Sequence, residues 1–436
     1  MEHLAIIGEN AAGKSQYAKQ MERDGRNVLS VAFNDAYGIA DPNYYYQQRW
    51  NSCEYEGVLT VRERFGSYEE SDYQRRIFEM FRLEELMEKP IIQLSSGEHR
   101  RYQLARKLVS KPDIFIIDNP YIGLDVPTRA QLDGLFRELI AMGGMQLVLV
   151  LSSLDNVPEF ITHVIWVKEG EALPKMTRAE YMAAFAAEDA ARVEDWTGLM
   201  EKVVSLPSHD AGFGGDEVLD LRKVSIRYGS RVILKDLDWT VHKGERWALG
   251  GVNGSGKSTL LSIICADNPQ SYACDLSLFG RKRGTGESIW EIKKHIGYVS
   301  PELHRSYMRD VPAIEVVATG LHDRAGMYVK TKEEHLGICE FWMDVFGVLH
   351  LRDRSFVKLS FGEQRLLLLA RAFVKDPELM IMDEPMHGLD TYNKRRVGKV
   401  IEAFCQRPDK TLIMVTHNEE ELPPIVTGRL VLQKLV

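Results

Sequence analysis

Short runs of apolar residues recur along the chain and predict buried strands. In the first half they are Leu4–Ile7, Ile114–Ile117 and Gln146–Leu151, and in the second half they include Leu379–Met382 and Thr411–Val415. A strand that is buried on both faces shows a continuous apolar run rather than an alternation of apolar and polar residues. The pattern therefore predicts an α/β fold with two mostly parallel sheets, each flanked by helices.

The same pattern predicts two domains, over residues 1–206 and 218–436. The first ends with a strand at Thr162–Val167 and an Ala-rich helical stretch from Met176 to about Val204, which begins with a capping box at Thr177 and Glu180. Residues 207–217 are rich in Gly and polar residues and predict a flexible linker. Helical inserts are expected over roughly 50–105 and 301–370.

Composition narrows the function classes. The 436 residues are 44% hydrophobic and 27% charged, with a net charge of −8, which is typical of a globular protein and excludes a fibrous repeat. The acidic balance disfavours sequence-blind nucleic-acid binding. No apolar run reaches the ~18 residues of a membrane span, and the first residues lack the basic segment of a secretion signal. Five cysteines without C-x-x-C spacing indicate free thiols, and hence a cytoplasmic protein.

Four motifs occur twice in the same order. Gly8-Glu-Asn-Ala-Ala-Gly13-Lys14-Ser15 returns as Gly251-Val-Asn-Gly-Ser-Gly256-Lys257-Ser258, and Leu94-Ser-Ser-Gly-Glu98 returns as Leu359-Ser-Phe-Gly-Glu363. The third motif is an apolar strand that ends in Asp118 in the first copy and in Asp383 in the second. The fourth motif is Gly-Leu-Asp. The last three pairs share one offset of 265 residues, whereas the first pair is offset by 243. An internal repeat of two domains is therefore expected.

Each G-x-x-x-x-G-K-S lies between a predicted strand and a predicted helix, which is the context of a phosphate-binding loop. In such a loop, backbone N–H groups surround the phosphates, the lysine binds β- and γ-oxygens, and the serine hydroxyl ligates Mg²⁺. Asp118 and Asp383 fit the carboxylate that holds this metal, so Ser15, Asp118, Ser258 and Asp383 are candidate Mg²⁺ residues. The candidate ATP-binding residues of the two loops are Gly8, Asn10, Gly13, Lys14, Ser15 and Gln16, and Gly251, Asn253, Gly254, Ser255, Gly256, Lys257, Ser258 and Thr259.

The order of these motifs, with Asp383-Glu-Pro and Thr416-His417 in the second copy, resembles that of the ATP-binding cassette (ABC) ATPases. The resemblance covers nearly the whole chain twice, and L-S-x-G-E is its most specific motif. It implies a fold of two tandem P-loop ABC nucleotide-binding domains, each with a helical signature subdomain, and it implies ATP and Mg²⁺ as cofactors. The short linker, Tyr45–Trp50 and Asp118–Asp125 are similar to the ModF-like group of this family, which is linked to molybdenum transport.

In the second copy the resemblance implies a complete set of site residues. Tyr228 would stack on adenine, Glu384 would orient or deprotonate the attacking water, and His417 would contact the γ-phosphate. A half-buried strand aromatic and a solvated loop histidine are the alternative interpretations of Tyr228 and His417. The family's metal-side glutamine is not evident after the strand at Ile296, where Ser300 or Glu302 is the substitute.

The first copy departs from the family. Asn119 stands where Glu384 stands, Ser153 aligns with His417 if Leu151–Ser153 matches Val415–His417, and Ala11 replaces Gly254. The chain begins at the phosphate-loop strand, so the adenine-stacking aromatic and the preceding β-layer are expected to be missing. Gln47 and Gln48 are candidates for the metal-side glutamine, and a solvated loop is the equal alternative.

Cassettes of this family pair head to tail. Ser95, Ser96 and Gly97 would then complete the Lys257 site, whereas Ser360, Phe361 and Gly362 would complete the Lys14 site. A positioned general base contributes ~10²–10⁴-fold to a rate, and asparagine cannot accept a proton. The prediction is one hydrolytic site with catalytic Glu384 and His417, and one slow or binding-only site. The alternative is that both sites are weak.

The resemblance also bears on partners. A transport role implies permease subunits at the inner face of a membrane. The ABC-F translation factors are the alternative in a different class, but the short, acidic stretch between the cassettes disfavours a ribosome-bound role. No helix-turn-helix or basic stripe supports a DNA-associated regulatory ATPase. Neither insert carries a cluster that indicates molybdate binding, so the transported or sensed substrate stays open.

Overall fold

The computed structural model describes residues 1–21, 27–33, 59–65, 71–91, 94, 96–121, 124, 126–192, 196–207, 212–229, 231–252, 254–307, 310–322 and 331–435. The chain forms two compact units. The first comprises Met1–Val193 and the short segment Gly388–Thr391, and the second comprises Glu194–His387 and Tyr392–Val436. The domain bounds at 206 and 218 stay a prediction.

The first unit is built on one mostly parallel sheet. Its strands are β1 (Leu4–Ile7), β2 (Val28–Ala32), β3 (Ile114–Asp118), β4 (Gln146–Leu151), β5 (His163–Lys168), β6 (Glu171–Ala172) and β7 (Met176–Thr177). The order is β2-β3-β4-β1-β5-β6, with β7 beside β5. The five long strands run parallel, and β6 and β7 pair antiparallel with β5. Every residue of β1 and β3 is buried, as the apolar runs predicted.

The helices of the first unit carry its phosphate loop and its insert. They are α1 (Lys14–Met21), α2 (Val61–Phe65), α3 (Asp72–Met80), α4 (Ser96–Leu108), α5 (Val126–Met142) and α6 (Arg178–Ala191). The predicted capping box is confirmed, because Thr177 accepts the N–H of Glu180 and the Glu180 side chain accepts the N–H of Thr177. The predicted single helical stretch is instead two helices, since Arg192 adopts an extended conformation that ends α6.

The second unit contains two sheets. Its strands are β8 (Glu217–Tyr228), β9 (Arg231–His242), β10 (Arg246–Gly251), β11 (Asp275–Leu278), β12 (Arg281–Lys282), β13 (Ile296–Val299), β14 (Leu379–Asp383), β15 (Thr411–Val415) and β16 (Gly428–Leu432). A parallel sheet has the order β13-β14-β15-β10-β16, and an antiparallel sheet has the order β12-β11-β8-β9. In the described part of the first unit, the strands form the one sheet given above.

Helices of the second unit flank these sheets and form the insert. They are α7 (Thr197–Val204), α8 (Lys257–Ile264), α9 (Ile289–Lys293), α10 (Pro301–Ser306), α11 (Ala313–Ala318), α12 (Glu333–Val345), α13 (Phe361–Phe373) and α14 (Thr391–Gln406). Aromatic side chains pack the helices α12, α13 and α14 together: the ring centroids of Trp342 and Phe373 are 4.9 Å apart, and those of Phe373 and Phe404 are 5.0 Å apart. The predicted fold class is confirmed in both units.

Two further expectations concern the linker and the cysteines. The segment from 212 to 216 is anchored rather than free, because Phe213 is buried in the second core and packs edge-on against Phe279 with 5.4 Å between ring centroids. The four described cysteines are free thiols, as predicted, and Cys53 lies outside the described residues. Among the described residues, none of the helices has the length and apolar character that a membrane crossing requires.

Candidate nucleotide sites

The two phosphate loops have the same local structure. In the first unit the loop joins β1 to α1, and the Lys14 ammonium donates to the carbonyls of Gly8 at 2.9 Å and Glu9 at 2.6 Å. In the second unit the loop joins β10 to α8, and Lys257 donates to the carbonyls of Gly251 at 2.6 Å and Val252 at 3.2 Å. Each lysine is therefore folded over a loop at a helix N-terminus, the place where proteins bind phosphate groups.

Glycine is required at two positions of these loops. A Cβ added to Gly8 would lie 2.3 Å from the Val167 carbonyl oxygen, and one added to Gly256 would lie 2.9 Å from Ile233 while φ there is +99°. Ala11 stands where the second loop has Gly254, and it adopts the same left-handed backbone, with φ of 62°. The first loop therefore keeps its shape despite the substitution, although a non-glycine residue in this conformation costs about 1–2 kcal/mol.

A serine and an aspartate meet beside the first loop. Ser15 Oγ donates to Asp118 Oδ2 at 2.6 Å. Asp118 is buried, and desolvation raises its pKa, with the Ser15 hydrogen bond acting in the opposite direction. A hydroxyl and a buried carboxylate are the hard oxygen ligands that Mg²⁺ prefers, and a cation here would relieve the cost of burying the charge. In the second unit Asp383 ends β14 as Asp118 ends β3, and it is also buried.

The residue after each aspartate has an unusual backbone. Glu384 and Asn119 have φ of 50° and 51°, in the left-handed region. The Glu384 N–H donates to the Val415 carbonyl at 2.9 Å, and the Asn119 N–H donates to the Val150 carbonyl at the same distance. The two residues are structurally equivalent, as the shared offset predicted. They differ in chemistry, since one is a carboxylic acid and the other is an amide.

The environment of Glu384 makes its carboxylate unusually basic. Burial raises the pKa of Glu384 to about 8, and the neighbouring Asp383 charge adds to the effect. Among the described residues, its Oε1 atom is buried without a hydrogen bond, and His417 Nε2 lies 3.6 Å away. A raised pKa and a free carboxylate oxygen suit a group that accepts a proton near neutral pH.

The predicted counterpart of His417 is wrong by one residue. Asp383 pairs with Val415, and Asp118 pairs with Val150, so the residue equivalent to His417 is Ser152 rather than Ser153. Ser152 Oγ donates to Asn119 Oδ1 at 3.2 Å, whereas Ser153 Oγ donates to Asp155 at 2.8 Å. At the observed register Val150-Leu-Ser152 matches Val415-Thr-His417, although Leu151-Ser-Ser153 is the better match by residue type.

In the first unit, hydrogen-bonded side chains occupy the positions equivalent to Glu384 and His417. The Ser152 hydroxyl donates to the side-chain oxygen Oδ1 of Asn119, and Asn119 Nδ2 donates to Asp118 Oδ1 at 2.8 Å. The amide is thus held between a hydroxyl and the metal-side carboxylate. Neither the Ser152 hydroxyl nor the Asn119 amide can take a proton from water as a carboxylate can.

The second signature motif forms a helix N-terminus. Ser360 caps α13 by accepting the Glu363 N–H, and Glu363 accepts the Ser360 N–H at 2.7 Å. The Phe361 ring stacks on His304, with 4.3 Å between ring centroids, and Gly362 is buried. In the first copy Ser96 and Gly97 begin α4, while Ser95 and the Ser96 side chain lie outside the described residues. Their expected position across a nucleotide stays a prediction.

Tyr228 lies at the end of β8, with 37% of the residue exposed. Its hydroxyl accepts a hydrogen bond from Asn268 Nδ2 at 2.9 Å, so the ring is both oriented and accessible for stacking on a base. Two cations that the sequence did not indicate lie near the loop: a Cβ on Gly254 would be 3.9 Å from Arg231 Nη2 and 4.0 Å from Lys434 Cε. Asn253 lies outside the described residues.

Of the four candidates for the metal-side glutamine, Ser300 has a described side chain. Ser300 is 1% exposed, and its hydroxyl caps α10 by accepting the Leu303 N–H at 3.1 Å. The Glu302 side chain, Gln47 and Gln48 lie outside the described residues.

The segment Gly388–Thr391, which carries the second Gly-Leu-Asp, belongs to the first unit and contacts its phosphate loop. The Asn10 N–H donates to Asp390 Oδ2 at 2.9 Å, and Asn10 Nδ2 donates to the Gly388 carbonyl at 3.3 Å. Burial lowers the pKa of Lys14 to about 8, and the Asp390 charge opposes this shift. Asp390 is therefore a candidate residue of the Lys14 site, a placement that the motif spacing alone did not give.

The chain contains two P-loop sites. Each has an aspartate at the end of a neighbouring parallel strand and a helix that begins at L-S-x-G-E. This arrangement defines a tandem pair of ATP-binding cassettes. The profile of the family described as "ABC transporter" matches residues 1–122 and 234–387. The chain belongs to this family, whose members bind and hydrolyse ATP.

Relatives and solved structures agree with this assignment. The chain is 36% identical to "ABC transporter ATP-binding protein ModF" of Escherichia coli K12, over 98% of this chain and 90% of that protein. It is 30% identical to "Uncharacterized ABC transporter ATP-binding protein C323.04" of Schizosaccharomyces pombe, over 98% of this chain and 91% of that protein. A structure titled "Model of ribosome-bound archaeal Pelota and ABCE1" matches with a TM-score of 0.62 and 18% identity, over 99% of this chain and 72% of that one, which supports the fold alone.

Proposed function

We propose that this tandem ABC ATPase hydrolyses ATP mainly at the site formed by Lys257, Asp383, Glu384 and His417, and that the Lys14 site binds ATP with little or no turnover. The observation that carries the proposal is the equivalence of Glu384 and Asn119. Both occupy the same left-handed backbone position with the same N–H bond to the neighbouring strand. Only the second unit has a carboxylate there.

We assign the roles of the site residues from this geometry together with the motifs of the family. Backbone N–H groups and Lys257 bind the phosphates, and Tyr228 stacks on the base. Ser258 and Asp383 would hold Mg²⁺, which supplies charge neutralisation to the phosphates when bound. Glu384 accepts a proton from the water that attacks the γ-phosphorus, the bond from that phosphorus to the β–γ bridging oxygen breaks, and ADP leaves with the electron pair. His417, 3.6 Å from Glu384, orients the carboxylate and contacts the γ-phosphate.

We also propose that each nucleotide is completed by the signature motif of the other cassette. Ser95, Ser96 and Gly97 would face the Lys257 site, and Ser360, Phe361 and Gly362 would face the Lys14 site. The support is the family membership and the helix N-termini that Ser96 and Ser360 form. The names of the relatives support a role as the ATP-binding component of a transporter, and we propose that it acts through permease subunits.

Phosphate release by the purified chain tests the assignment of the sites. Glu384→Gln should lower turnover by about 10²–10⁴-fold, because it replaces the base with a group that cannot take a proton. The matched change Asn119→Ala should alter turnover by less than about twofold, since no base is lost. Retained turnover in Glu384→Gln, or collapse in Asn119→Ala, would overturn the assignment.

Two further measurements separate binding from hydrolysis and identify the partner. Equilibrium binding of a fluorescent ATP analogue should show two sites, of which Lys14→Ala removes one and leaves most of the turnover. Affinity capture from the native cell should recover permease subunits. Recovery of ribosomes instead would favour a role in translation over one in transport.

A further inference from the structure

Helix α13 carries a buried arginine that contacts the end of β14. Arg365 lies two residues after Glu363, and 1% of the residue is exposed. Its Nε donates to the Pro385 carbonyl at 3.2 Å, and its Nη2 donates to the carbonyls of Asp383 at 3.0 Å and Glu384 at 2.5 Å. Its Nη1 donates to the Ser300 carbonyl at 2.9 Å. One guanidinium thus contacts three consecutive carbonyls around the proposed base and a fourth at the end of β13.

These contacts surround a strained residue. Glu384 has φ of 50°, a conformation that costs a non-glycine residue about 1–2 kcal/mol. Such a conformation persists only where the surroundings fix the backbone on both sides. On one side the Glu384 N–H is held by Val415 in β15, and on the other side the carbonyls are held by Arg365. The planar guanidinium suits this task because its donors have a fixed relative geometry.

The first unit has an arginine at the corresponding place. Arg100 lies 265 residues before Arg365, and its Nη1 donates to the Pro120 carbonyl, the counterpart of Pro385. Asn119 beside it has the same left-handed backbone as Glu384. An arginine is therefore present where the turn is kept but the carboxylate is absent. The arginine therefore accompanies the left-handed turn whether or not the turn carries a carboxylate, and its direct contacts are with the backbone of the turn.

We propose that Arg365 is a positioning residue for ATP hydrolysis, which fixes the Asp383–Pro385 backbone so that the Glu384 carboxylate faces the attacking water. The inference rests on the proposed hydrolysis at the Lys257 site. Ser360 caps the helix that carries Arg365. The contacts of Arg365 therefore connect the signature motif of the second unit to the backbone of Glu384 in the same unit. An arginine that only stabilised the fold would not act selectively on the catalytic step.

The variant Arg365→Lys tests this role. Lysine keeps the buried positive charge, but its single nitrogen cannot reach four carbonyls that lie in different directions. We expect kcat to fall at least about tenfold, as small displacements of a catalytic group do, while KM and the affinity for a non-hydrolysable ATP analogue change less than about twofold. The control is Arg371→Lys on the same helix, where a buried arginine donates to Thr319 Oγ1 at 2.9 Å. Its kcat should stay within about twofold of the parent.

A double-mutant cycle decides whether Arg365 acts through Glu384. In the Glu384→Gln background, adding Arg365→Lys should change the residual turnover by less than about twofold, because the base is already gone. A further fall of about tenfold there, or an unchanged kcat in Arg365→Lys alone, would overturn the positioning role. If Glu384→Gln itself retains turnover, the proposed function fails instead. Should Arg365→Lys not fold, Arg365→Gln, which carries no buried charge, gives the same comparison.

Discussion

A buried cluster of charges in the second unit allows a quantitative prediction for Asp376→Asn. The Asp376 carboxylate accepts from Arg407 at 2.5 and 2.8 Å and from Lys410 at 2.9 Å. The Lys410 side chain is fully buried and that of Arg407 is 4% exposed. The substitution leaves two buried cations facing a neutral amide.

The size of the effect follows from this burial. Breaking a buried ion pair by removing one partner costs about 3–5 kcal/mol, because the other charge stays desolvated. Asp409 remains 3.3 Å from Lys410 and offsets part of the loss, so we expect a fall of about 3 kcal/mol in the free energy of unfolding. Asp376 has φ of 53°, which asparagine tolerates well, so the backbone contributes little.

Urea unfolding of the full chain, with hydrogen exchange of β14 and β15 as a local report, measures this change. The matched control is Asp353→Asn, whose partner Arg352 is 36% exposed and whose own side chain is 78% exposed. Such a surface pair contributes about 0–1 kcal/mol. If Asp376→Asn were no more destabilising than the control, the reasoning from burial would be refuted.

Three other predictions concern the first unit. Burial lowers the pKa of His99 from 6.5 to about 4, so the unfolded chain binds a proton that the folded chain does not. The free energy of unfolding should therefore fall by up to about 3 kcal/mol between pH 6.5 and 4, and His99→Leu should flatten that slope in hydrogen exchange of α4. Asn119→Glu with Ser152→His, placed in a Glu384→Gln background, should raise phosphate release at least about tenfold; no gain would contradict the explanation for the weak site. Tyr181→Phe removes a buried hydrogen bond of 2.9 Å to the Leu154 carbonyl and should cost about 1–2 kcal/mol in thermal unfolding.

Local chemistry made much of the fold predictable. The apolar runs at Leu4–Ile7, Ile114–Asp118 and Leu379–Asp383 became strands with those bounds, because strands buried on both faces must be apolar throughout. The shared offset of the repeated motifs also placed Asn119 at the position of Glu384, since both copies keep the same spacing between strand and turn.

Other features depend on contacts that residue types do not encode. Arg365 binds backbone carbonyls 18 to 65 positions away, and any residue type supplies a carbonyl. The shared offset of 265 residues already indicated Ser152 as the counterpart of His417, whereas residue types favoured Ser153, and the register of β3 and β4 supports Ser152. Phe213 lies in a glycine-rich stretch that reads as a linker, and only tertiary packing shows its burial.

The left-handed bend that follows each aspartate has a different conformational cost in the two units, because the residue at the bend differs. Asparagine enters this region of backbone space more readily than glutamate does, because its short side chain compensates locally. An amide at position 119 therefore costs less conformational free energy at the bend than an acid would, and the neighbouring strand edge keeps its hydrogen bond to Asn119. The unit with the amide thus carries less backbone strain at this bend than the unit with the acid, and Asn119→Glu should lower the free energy of unfolding by about 0.5–1 kcal/mol.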